Sequence, residues 1–131
     1  MSPLSLRLIR AAFACLLLGV ALAMAFAFDR NLGVLARSVH AELNAWGFVS
    51  LLIYGFGNHM LPRFAGRALP WPRVAEVQSW LAIGGVLVGA LGWTLAACGV
   101  ASWMWLAGPG AALQALAALA FAAQAAVLAR G

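Results

Sequence analysis

Four long apolar stretches, separated by short segments that hold more than half of the charged residues, set the pattern of this chain. Each is about the 20 residues needed to cross the hydrocarbon layer as a helix, which predicts spans near 8–28, 40–61, 74–97 and 111–129. The first is unbroken from 11 to 28 (AAFACLLLGVALAMAFAF) and follows Arg7 and Arg10. A basic start and the Ala25-Phe26-Ala27 triplet imitate a cleavable leader, but we read the run as a retained span. Cys15, Gly19, Ala23 and Ala27 recur at every fourth position and predict a small-residue stripe for close helix packing.

The second stretch differs from the others because its polar residues are ordered. His40, Asn44, Gly47, Leu51, Tyr54 and Asn58 follow alternating steps of four and three, one face of a helix. Polar side chains are costly in lipid, so this face is expected to point inward. Pro62 is expected to end the helix, and 29–39 before it to be a loop. The Pro/Gly/Arg segment 62–73 leads into a third span with a Gly85/Gly89 pair at GxxxG spacing, widened by Gly84 and Gly92. Trp93, Trp103 and Trp105 predict an aromatic belt, and Gly108-Pro109-Gly110 a break before the last span, an alanine-rich packing helix carrying Gln114 and Gln124.

Composition agrees with the pattern. Of 131 residues, 66% are hydrophobic and 8% charged, with a mean hydropathy of +0.99, which leaves no room for a soluble domain. The net charge of +5 comes from eight arginines against Asp29, Glu42 and Glu76. Arg7, Arg10, Arg63, Arg67, Arg73 and Arg130 fall on one side and Arg30 and Arg37 on the other, which predicts cytoplasmic termini. The arginines then anchor topology and meet anionic lipid, and a nucleic-acid partner is not expected. Cys15 and Cys98 fall at different depths, so no disulfide is expected. No zinc spacing, phosphate loop or Ser/His/Asp set occurs, so hydrolase and nucleotide-binding classes have no residues to stand on.

With its histidine at the head of a helix, Gly55-Phe56-Gly57-Asn58 near its inner end, then Pro62, Gly66, Pro72-Arg73 and Trp80, the central segment resembles the second and third helices of subunit I of the haem-copper oxidases and related nitric oxide reductases. The likeness covers about 40 residues and is nearest to short stand-alone proteins that look like a fragment of that subunit. Those carry His-x-His-Leu-Asn where this chain has His40-Ala41-Glu42-Leu43-Asn44. The resemblance implies that His40 is an axial ligand of b-type haem iron, with Glu42, Asn44 and Gly47 as its surroundings. It further implies electron transfer or gas sensing in a bacterial inner membrane, as a homo-oligomer or beside a respiratory-chain partner. The later helices that supply the oxygen- or nitric oxide-reducing metal centre are missing, so oxidase activity is not expected.

The residues themselves leave alternatives open. His40 is either a ligand or an interfacial polar residue, and Glu42 either orients His40 or is a solvated end-of-span charge. His59 lies 19 residues along the same helix, roughly 28 Å away, so the two histidines cannot share one iron within a chain. His59 reads as an end-of-helix residue, while Tyr54, Asn58 and Gln78 read as hydrogen-bonding between helices. The expectation is a single-domain, all-α integral membrane protein, a four-transmembrane-helix bundle over 1–131. Its haem-free rival is a structural or assembly protein of a respiratory complex.

Overall fold

The computed structural model describes residues 1–100 and 104–130, and every regular element among them is helical. In chain order these are α1 (Pro3–Phe28), α2 (Arg30–Leu35), α3 (Arg37–Ala41), a π-helical segment (Glu42–Ser50), α4 (Leu51–Phe64), α5 (Pro72–Ala97) and α6 (Met104–Ala129). Three helices, α1, α5 and Trp105–Ala129 of α6, are long and apolar enough to cross a membrane, which makes this a multi-pass membrane protein. Their outward faces carry Phe13, Leu17, Leu87, Leu91, Leu116 and Leu119, an exposed apolar surface suited to lipid.

Local signals explain the ends. Ser2 caps α1 by accepting from the Ser5 amide at 3.2 Å, and Pro3 fills the first turn, where no amide hydrogen is needed. Asp29 closes α1 and caps α2, its carboxylate accepting from the Asn31 and Leu32 amides at 2.9 and 3.3 Å. The expected loop 29–39 is therefore mostly two short helices. α4 runs past Pro62 to Phe64 and stops at Gly66, whose φ of +63° is readily open to glycine. There the Arg67 amide reaches the Pro62 carbonyl at 3.0 Å and the Gly66 amide the Arg63 carbonyl at 3.2 Å, a Schellman closure. Gly99 (φ +77°) ends α5 in the same way, with Val100 donating to Leu95 and Gly99 to Ala96.

The expected break before the last span is not formed. Pro109 does not interrupt the last helix, which starts before it at Met104 and passes through Gly108-Pro109-Gly110. In an apolar bundle a helix carries an internal proline when its neighbours tolerate the local adjustment, and here the residues on either side have no side chain to crowd the ring. Of the aromatic belt, Trp105 is 81% exposed, Trp93 packs inward on Glu42, and Trp103 lies outside the described residues.

Packing joins two antiparallel pairs. α5 lies along α6, and α1 lies along the π-helical segment and α4. The α5–α6 seam is a backbone contact: a Cβ on Gly110 would sit 2.6 Å from the Gly89 nitrogen, and one on Gly85 3.0 Å from the Gly110 oxygen. Gly92 joins this seam against Ala107, but Gly84 faces open space and takes no part. On α1 the packing stripe is Ser5, Leu8, Ala12, Cys15 and Gly19; Ala23 and Ala27, expected to extend it, are exposed. Leu8, Ala12, Cys15, Leu51, Tyr54, Ala82, Val86 and Ala117 form the core between the pairs. Both cysteines are free, Cys15 buried and Cys98 exposed.

At the end of the bundle where α1 begins, the Arg7 guanidinium donates to Glu76 at 2.7 Å and to Ser79, and lies 4.3 Å over the Trp80 ring. This cluster fastens α1 to the start of α5. We expect Gly110→Val to cost about 1–3 kcal/mol by overpacking the seam, while Gly84→Ala leaves stability within about 0.5 kcal/mol. Thermal unfolding of the two variants in detergent checks both.

Candidate functional site

α3, the π-helical segment and α4 follow one another without a break, and this composite helix carries the ordered polar face. A nine-residue π-helical stretch is unusual, and such widened turns are found most often at functional sites. Side chains brace it at both ends: Asn44 Nδ2 donates to the His40 carbonyl at 2.8 Å, and Ser50 Oγ to the Ala45 carbonyl at 3.0 Å. The expected inward face is realised, with Gly47, Leu51, Tyr54 and Asn58 buried.

His40, at the end of α3, turns toward α1. Its Nδ1 lies 3.0 Å from the carbonyl oxygen of Gly19. A carbonyl can only accept, so as a hydrogen bond this contact needs the proton on Nδ1, the tautomer that carries its lone pair on Nε2. Phe26 meets the ring edge-on at 5.6 Å, which fixes its tilt. Asn44 Nδ2 lies 3.3 Å from Nδ1 and 3.5 Å from Nε2, both long contacts for a group already committed to the His40 carbonyl. Gly19 is what permits this arrangement, because a Cβ there would lie 2.5 Å from Asn44 Nδ2. His40 as a whole is half-buried.

The other expected site residues are not gathered around His40. Glu42 points to the opposite flank and is buried, 8% exposed, between α5 and α6. There it accepts from Gln114 Nε2 and from the Trp93 indole, while Gly89 leaves room for its carboxylate. It neither orients His40 nor lies in solvent, which corrects both readings of the sequence. Two residues along an α-helix is a turn of about 200°, so the short spacing itself separates Glu42 from His40. Gly47 serves packing, since a Cβ there would come 2.7 Å from Cys15 and 3.3 Å from Val86.

Toward the other end of the helix, Asn58 Nδ2 donates to Gln78 Oε1 at 3.1 Å, a buried interhelical bond of the kind expected. Tyr54 packs its ring on Phe121 at 4.9 Å. His59 is half-buried on α4 and takes part in neither arrangement. Among the described residues no group of three His, Cys, Asp or Glu side chains is placed to hold a metal ion. A haem held here would have the His40 imidazole as the one ligand this arrangement prepares.

The residues that sequence reasoning missed are the Gly19 carbonyl, Gln114 and Trp93. Gln114 had a visible signal, as a lone amide mid-way along an alanine-rich helix, but nothing in one sequence pairs it with Glu42. No protein-family model, curated protein or solved structure matches this chain. Gln114→Leu takes away one of the two donors to a buried carboxyl and should cost about 1.5–3 kcal/mol. Glu42→Gln, which keeps an acceptor for both donors, should cost less. Chemical denaturation in mixed micelles ranks the two variants.

Proposed function

We propose that this chain is a four-span membrane protein, with α3 to α4 forming the span additional to α1, α5 and α6, that binds b-type haem through His40 Nε2. In this reading the chain sits in a bacterial inner membrane with both termini on the cytoplasmic side, an orientation supported by the arginine distribution. The observation that carries the reading is the 3.0 Å bond from His40 Nδ1 to the Gly19 carbonyl. It orients the ring and favours the tautomer with its lone pair on Nε2, which is how ligating histidines are prepared by their second contact.

Bound haem would supply one-electron chemistry or an open coordination position for a diatomic gas. This chain's part is to present one imidazole at fixed tilt and to keep water from its Nδ1 side with Phe26. A second ligand would come from His40 of a second copy across a two-fold axis, or that position would stay open for a gas. Oxygen or nitric oxide reduction is no part of the proposal, because the central segment resembles only the early helices of subunit I.

A haem-free structural role is the second reading. It is favoured by the fact that His40 already helps to pack α1, through Gly19 and Phe26. Optical spectra of the detergent-purified, haem-reconstituted protein, oxidised and dithionite-reduced, separate the two. We expect sharp reduced bands at one haem per two chains, and at least a tenfold loss of haem in His40→Ala. A stoichiometry of one haem per chain would mean an open or externally filled sixth position. A His40→Ala protein with full haem content would overturn the assignment of His40, and a featureless wild-type spectrum would establish the structural reading.

A further inference from the structure

The flank opposite His40 holds a group the haem reading does not use. Glu42 is a buried carboxylate with two neutral donors, Gln114 and Trp93, and no basic partner among the described residues. The ion pair of the described residues, Arg7–Glu76, is at the other end of the bundle. Its two hydrogen-bonding partners are both uncharged, so a cation seated beside this carboxyl would be the charge that favours its ionised form.

Beside it is a groove of about 240 Å³, open on one side and lined by Ser38, Ala41, Glu42, Ala45, Trp46 and Trp93. A single water needs only about 10–15 Å³ of such space, so the groove has room for a ligand of several heavy atoms. Its walls are chemically specific. Indole faces attract cations, carboxylates pair with them, and Ser38 adds a hydroxyl acceptor, a combination suited to recognising ammonium groups. Trp46, 40% exposed, is available from outside, whereas Trp93 is tied to the carboxylate.

We propose that this groove binds a small organic ammonium group, with Glu42 as its countercharge and Trp46 and Trp93 as its aromatic walls. The site is separate from the His40 position and stands whether or not haem binds there. Two sources share this chemistry: a free organic cation, and the headgroup of an aminophospholipid reaching in from the membrane surface.

The test uses the full chain in a nonionic maltoside detergent, with ¹⁵N-labelled indoles read by NMR. Tetramethylammonium chloride is titrated against sodium chloride at equal ionic strength. In a second arm, a short-chain phosphatidylethanolamine is titrated against its phosphatidylglycerol counterpart. We expect saturable shifts of Trp46 and Trp93, weakened at least tenfold by Glu42→Gln, which keeps the hydrogen bonds and so the fold. Trp46→Leu, at a partly exposed position, should weaken binding without disturbing the Trp93 signal of the free protein. Binding of tetramethylammonium with no preference between the lipids identifies a free cation as the source, and a preference for the ethanolamine lipid identifies the headgroup. Absence of a saturable shift in both arms, or equal affinity in Glu42→Gln, would overturn the proposal.

Discussion

A helix that carries polar side chains into a low-dielectric surrounding must find a protein partner for each of them, and the rest of this structure is arranged around that requirement. The second helix presents His40 and Asn44 on one flank, Glu42 on the other, and Asn58 further along. Each flank therefore needs a different neighbour. α1 answers the first with a backbone carbonyl, α6 answers the second with Gln114, and α5 supplies Gln78 to Asn58. Remove any one helix and a buried polar group loses its partner.

Glycine is what brings the partners close enough. Without Gly19 the Asn44 side chain could not lie against α1, and without Gly89 the Glu42 carboxylate could not enter between α5 and α6. The same Gly89 also forms the backbone contact with Gly110. The α5–α6 seam and the seat of Glu42 are thus one feature: tight helix packing and accommodation of a buried carboxylate depend on the same missing side chains. His40 gains from the opposite seam, where close approach of α1 aligns the Gly19 carbonyl with Nδ1.

The inward face from His40 to Asn58 was legible because helical periodicity reports directly on which residues share a side. The Gly85/Gly89 pair was legible for a similar reason, since small residues one turn apart have few uses other than close packing. Glu42 was misread because an acidic residue near a span end is ordinarily solvated, and only the packing of three helices shows that this one is enclosed. Pro62 and Pro109 misled about boundaries, since the rule that proline ends helices weakens in an apolar bundle. The short helices between Asp29 and Ala41 carry too few residues for periodicity to show. The π-helical register has no sequence signature at all.

The claim on which the functional account turns is the protonation pattern of the His40 ring, and ¹⁵N NMR of selectively histidine-labelled, haem-free protein at neutral to mildly alkaline pH reads it directly. The account predicts one histidine, assigned to His40 by substitution, with a protonated Nδ1 held in a hydrogen bond and an unprotonated Nε2. A ring protonated on Nε2, or exchanging between tautomers as free imidazole does, would contradict it. Iron would then have no prepared nitrogen to meet, and the Gly19 contact would have no bearing on function.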